Sequence, residues 1–202
     1  GSSNVAVGQG ALDANTTASS NTVVGHDSMK VNTGASNTAL GRQALRFNTT
    51  ASSNTAVGYL AGYSNTTGTE MAAVGLEALY NNTTGNTNTA MGRRSLYSNT
   101  TGVNNSAFSA RALYTNTTGN YNVAVGMDSL YYNTTASQNT AVGYQSSYKN
   151  TTGTDNLSSG IYSLYDNTTG SYNVALGSSA LENNTTASNN TAVGYRAGYS
   201  IT

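Results

Sequence analysis

The chain has 202 residues with a formal net charge of zero, eight basic against eight acidic residues, one His, no Cys and no Pro. Such a charge-poor chain offers no electrostatic footprint for nucleic acid or an anionic membrane surface. The lack of Cys excludes disulfide frameworks and thiolate metal sites, and no apolar run approaches the roughly 20 residues that a membrane-spanning helix needs.

Asn (28), Thr (32), Ser (25) and Gly (22) together make up more than half the chain. Unpatterned, that composition would suggest disorder. Here it is strictly patterned. A glycine recurs at Gly8, Gly25, Gly41, Gly58, Gly75, Gly92, Gly126, Gly143, Gly160, Gly177 and Gly194, with Ser109 in the glycine place between Gly92 and Gly126. Every step is 17 residues except Gly25 to Gly41, where Asn32-Thr33-Gly34 has lost one Thr. A helix-turn-helix repeat needs roughly 34 residues, and Gly, Asn, Thr and Ser in every turn disfavour a helix. Hairpins favour Asn-Gly or Asp-Gly turns, and neither dipeptide occurs. The remaining reading is all-β: a parallel β-solenoid, or β-roll, of twelve 17-residue coils, with residues 1–202 forming one repeat region. Twelve coils at 4.7–4.9 Å predict a rod about 55 Å long.

Within each coil the positions stack into columns. The first is Asn, four before the glycine, as in Asn21, Asn54 and Asn122. Thr or Val follows, then Ala, then Val or another large apolar residue, as in Thr55-Ala56-Val57. Strand alternation places the first and third of these on one face, and the large column (Val7, Val57, Met91, Phe108, Val125) is expected to face inward. The Ala column is then expected outward. A flat outward stripe of Ala39, Ala56, Ala73, Ala90, Ala107, Ala124 and Ala141 suggests a closely apposed surface, and marks a candidate subunit interface.

After the glycine comes a column of Ala or Ser, which implies crowding at a corner, and then Leu (Leu45, Leu79, Leu96, Leu113, Leu130), expected to pack in the interior. Next stands a Tyr column: Tyr63, Tyr80, Tyr97, Tyr114, Tyr131, Tyr148 and Tyr165. It is expected outward, with rings stacked on one another, and it is the candidate contact ladder for a glycan or receptor. The coil ends in N-T-T, whose Asn should form a second amide ladder. Ten of these triplets match the glycosylation sequon, but one glycan per coil would be spaced too tightly at about 4.8 Å. The chain stops mid-repeat, with Ile201 where the next N-T-T asparagine would stand, and so reads as a fragment of a longer fibre.

The V-A-V-G motif, as in Val5-Ala6-Val7-Gly8, Val123-Ala124-Val125-Gly126 and Val174-Ala175-Leu176-Gly177, resembles the YadA-type head repeat of trimeric autotransporter adhesins. The N-T-A-V-G and N-T-T-G arrays also resemble repeats of phage tail-fibre-like proteins. The resemblance covers all twelve coils. It implies a left-handed roll with three chains side by side, on a cell surface or virion. The adhesin repeat is shorter, and the extra length here falls around N-T-T-G.

No constellation for catalysis or metal binding is apparent. The eight acids fall in scattered columns, so no positioned acid–base pair recurs, and His26 sits in a variable column. No cofactor is expected, and the chain is not expected to be an enzyme. The function expected first is a structural fibre or stalk segment of a phage tail fibre or bacterial surface adhesin. Its partner would be itself, as a homotrimer with end-to-end assembly also open, and it would be extracellular, with no nucleic acid bound and no membrane insertion. The alternative is a solenoid that binds a cell-surface glycan or receptor through the Tyr ladder. Third comes an ice-binding solenoid, ranked low because the two Thr of N-T-T point to opposite sides.

Overall fold

A computed structural model of the chain describes residues 1–200, so Ile201 lies outside the described residues. Twelve three-residue strands follow one another, from β1 (Val5–Val7) and β2 (Thr22–Val24) to β11 (Val174–Leu176) and β12 (Thr191–Val193). They form one parallel sheet in strict sequence order. Each pairs in register one repeat away: β6 (Thr89–Met91) sets Ala90 against Ala107 of β7 (Ser106–Phe108), which sets Ala107 against Ala124 of β8 (Val123–Val125). The molecule is a β-solenoid, and no helix occurs among the described residues.

Backbone pairing between coils continues beyond the strands. Leu45 N–H donates to Ala61 O at 3.0 Å, and Thr83 N–H donates to Thr100 O at 3.0 Å. The chain turns through residues at positive φ. Two residues after each glycine lies a left-handed position (Gln43 φ 59°, Glu77 φ 55°, Arg94 φ 58°). The Gly75 carbonyl accepts from Ala78 N–H at 3.4 Å, closing a type II turn. The leucine ladder is also left-handed (Leu79 φ 51°, Leu113 φ 53°). That backbone is costly for a branched side chain, and full burial of each leucine, about 1.5–3 kcal/mol, offsets it. At the anchor itself the requirement for glycine is steric. Gly25 has φ 142°, and a β-carbon there would lie 2.3 Å from the Gly41 carbonyl oxygen.

The strand faces the opposite way from the sequence expectation. Ala39, Ala56, Ala73, Ala90, Ala107, Ala124 and Ala141 are all fully buried, inside the chain's own core. The large column faces outward: Leu40 is 47% exposed, Met91 42% and Val125 37%. The physical reason is cross-section. The interior of one coil already holds a Leu, an Ala or Ser before it and two Asn side chains, and beside these only a methyl group fits. Along the strand, small side chains mark the crowded inside and apolar bulk the outside.

Both Asn columns are internal and largely saturated, with Asn15 Oδ1 and Asn184 Oδ1 left unpaired at the two ends of the N-T-T ladder. In the column before the strand, Asn105 Nδ2 donates to Gly119 O at 2.8 Å, and its Oδ1 accepts from Asn122 N–H at 3.0 Å. In the N-T-T column, Asn99 Nδ2 donates to Asn82 Oδ1 at 2.7 Å and to Gly102 O at 3.0 Å. A buried amide left unpaired costs about 1–3 kcal/mol, and the ladder pairs each amide with its neighbour on the next coil. The short coil disturbs this ladder. Asn32 Nδ2 turns to Gly34 O at 2.7 Å, and Asn15 Oδ1 is left buried without a partner.

The core changes character once. Ser147 stands in the leucine ladder and Ser158 in the alanine column. Ser146 Oγ donates to Ser158 Oγ at 2.7 Å, and the Ser147 and Ser158 hydroxyls lie 2.8 Å apart. This hydroxyl cluster separates an apolar core reaching Ala141 from a second one starting at Leu164.

Candidate functional site

With the strand faces reversed, the side of the sheet turned to solvent carries two columns. One is the Thr/Val column, with Thr38, Thr89 and Val123 half-buried and Thr55 exposed. The other is the large apolar column, in which Val7, Leu40, Met91, Phe108, Val125, Val142 and Val193 are exposed. Together they make an apolar band along the rod. The seven alanines expected at a subunit interface cannot form one, because leucines and amides of the same chain already cover them. The informative signal in the sequence was the size of the side chains. With a leucine and two asparagines already inside each coil, the strand has little room for more than a small inward side chain, which leaves the bulky column the outside.

The tyrosine ladder lies where it was expected. Tyr63, Tyr80, Tyr97 and Tyr114 stack with ring centroids 5.0–5.2 Å apart and planes within 9° of parallel. Tyr114 and Tyr131 are 5.0 Å apart, and Tyr131, Tyr148 and Tyr165 follow at 5.3 and 5.2 Å. These rings spend their faces on each other, so the ladder turns ring edges outward. Burial raises the phenol pKa of Tyr80, Tyr97, Tyr131 and Tyr165. Burial, reinforced by a hydrogen bond with Tyr132, pushes Tyr148 up to about 12.

A row of charges flanks the ladder and is internally paired. Arg94 Nε bonds Glu77, Arg111 Nη2 bonds Asp128 at 2.7 Å, and Lys149 Nζ lies 2.7 Å from Asp166. Each of these cations also sits over a tyrosine ring, 5.2–5.7 Å from its centroid. Lys30 beside Asp27 holds that carboxyl below its usual range. Among the described residues no group of His, Asp and Glu is placed to hold a metal ion. The N-T-T asparagines, such as Asn65, Asn82 and Asn99, are fully buried, so in the folded rod they are not open to modification.

Compared with known proteins, the chain matches no family, no curated protein and no solved structure.

Proposed function

We propose that the chain is a structural, non-catalytic rod segment of an extracellular fibre, of the phage tail-fibre or bacterial surface-adhesin kind. We further propose that it associates with copies of itself side by side as a homotrimer. The observation that carries this reading is the uniformity of the rod. Twelve coils pair in one direction and one register, so contour length scales with repeat number, and stiffness comes from continuous ladders of backbone and amide hydrogen bonds. The apolar band gives the rods a reason to associate, because contiguous exposed apolar surface marks interaction sites on soluble proteins. The interface is therefore assigned to the band through Leu40, Met91, Phe108, Val125 and Val142. Light scattering on the purified protein tests the association. The expected mass is three times 20.7 kDa, and a monomer at high concentration would remove the side-by-side reading.

The reversed strand also supports a second reading. Thr22, Thr38 and Thr55 stand in three successive coils beside the large apolar column, Thr22 and Thr55 exposed and Thr38 half-buried, as a short row of hydroxyl and methyl groups. Such an array suits ordered water at an ice surface. It competes with trimerisation for the same face, so thermal hysteresis should appear only in a protein that scatters as a monomer.

A further inference from the structure

Immediately before each buried strand asparagine, the chain passes through an outward, left-handed residue. In the early coils this position holds Ser20 (φ 62°), Ser36 (φ 59°) and Ser53 (φ 61°), followed by Glu70, Thr87 and Asn104. Later in the rod four consecutive coils carry Tyr121 (φ 57°), Gln138 (φ 62°), Asp155 (φ 57°) and Tyr172 (φ 59°). Left-handed backbone is uncommon for bulky side chains, and burial repays its cost at the leucine ladder. Nothing repays it at the two tyrosines, each of which is 60% exposed. Neither ring stacks on another aromatic ring, in contrast to the ladder tyrosines. A strained backbone carrying an open aromatic ring points toward a use outside the fold.

Two further features make the ridge a coherent surface. Two residues beyond each tyrosine, on the same outward side of the buried asparagine, the commoner Thr is replaced by Val123 and Val174. Each tyrosine is therefore followed, two residues on, by an apolar residue at the start of the strand. Between the tyrosines, the side chains of Gln138 and Asp155 make no hydrogen bond or ion pair within the described chain; only their backbone N–H groups are engaged, with Asn120 O and Ser137 O. The ridge thus offers two exposed aromatic rings three coils apart, about 14 Å, with a free amide and a free carboxylate between them.

We propose that Tyr121, Gln138, Asp155 and Tyr172 bind an extended, uncharged polysaccharide running parallel to the rod. The C–H faces of two pyranose rings would stack on the tyrosines, while Gln138 and Asp155 accept hydrogen bonds from the hydroxyls of the rings between. A straight, ribbon-like chain, as β-1,4 linkages give, can reach both platforms, whereas a coiling α-1,4 chain cannot lie along a straight ridge. This inference does not depend on the fibre reading.

The test is calorimetric titration of the full chain with cellohexaose, chitohexaose and maltohexaose. Binding of cellohexaose or chitohexaose is expected, without binding of maltohexaose. Tyr121→Asn and Tyr172→Asn should each weaken binding at least tenfold, and the double variant should abolish it. Asn suits the left-handed backbone and already occupies this position at Asn104 and Asn189. Tyr97→Ser, which opens the stacked ladder instead, should leave binding unchanged. Three results would each overturn the proposal: failure of the unaltered chain to bind either β-linked hexasaccharide, equal binding of maltohexaose, or undiminished binding by a folded double variant. Light scattering of the double variant reads the association state separately, so loss of sugar binding and loss of assembly remain distinguishable.

Discussion

Met71 Cε lies 3.7 Å from the point a β-carbon on Gly62 would occupy. Each residue is an exception in its own column: Met71 replaces a strand asparagine and Gly62 replaces a ladder leucine. Together they restore one normal core, since the long thioether fills the space that the missing leucine leaves. The exchange has a polar cost, because Met71 has no oxygen to offer the Asn88 backbone N–H. The equivalent bond in a regular coil runs from Asn122 N–H to Asn105 Oδ1 at 3.0 Å.

The pair should therefore behave as one unit. Gly62→Leu alone drives a side chain into Met71 and Leu45 and should cost about 1–3 kcal/mol. Met71→Asn alone opens a void and should cost about 2 kcal/mol or more. The double variant recreates a standard coil and should come back close to the parent. A urea double-mutant cycle checks this: a coupling energy near zero would show that the two sites do not share a cavity.

Ser109 is the one anchor that is not glycine, and it is held at φ 111°. A side chain at that backbone costs about 1–3 kcal/mol. Ser109→Gly should accordingly raise the urea midpoint, by an amount corresponding to about 1 kcal/mol. The reverse change elsewhere should be harmful. A β-carbon on Gly126 would meet the Gly143 carbonyl oxygen at 2.4 Å, so Gly126→Ser should lower the midpoint.

Much of the fold was legible in the sequence because a solenoid prints its geometry as a period. The spacing of Gly58, Gly75 and Gly92 gave the coil, and the alignment of Tyr80 under Tyr97 gave the stacked ladder. The pattern points the strand the wrong way because the bulk of Val57 and Met91 suggests a core, whereas the interior already holds Leu79 and two asparagines. Period alone cannot say which of two alternating columns faces in; cross-section decides, and it becomes visible only once the amides are seen to be internal. The compensation of Gly62 by Met71 was also hidden, because the two lie in different columns. The ridge tyrosines were hidden because Tyr121 and Tyr172 are exceptions in a column that otherwise reads as turn chemistry.

The orientation of the strand has a direct test. Ala107→Leu should cost about 1–3 kcal/mol in urea unfolding, because the fully buried site has no room for the added side chain. Val23 shows what the column admits: a larger side chain stands there only in the coil where Met29 replaces the ladder leucine. Val125→Thr, by contrast, changes an outward residue for one the adjacent column uses freely. It should leave the fold intact and weaken only association, as read by light scattering.

The tyrosine ladder predicts an alkaline limit. Burial favours the neutral phenols of Tyr80, Tyr97, Tyr131, Tyr148 and Tyr165, so their folded pKa values lie above the unfolded value of about 10. The stabilisation is complete below that pH. It is lost as pH rises toward the folded values, of which Tyr148 lies at about 12. Melting temperature should hold steady to pH 9 and fall between roughly pH 10 and 12. Phenolate absorbance should lag behind that of free tyrosine until the rod unfolds. A flat melting profile through pH 12 would show that the ladder phenols are not held by burial.

The most direct test of the fibre account is an electron micrograph of the purified protein viewed along and across its axis. The expected particle is three parallel rods, each about 55 Å long, with the band through Met91, Phe108 and Val125 turned toward a shared axis. Single, separate rods at the same concentration would contradict it.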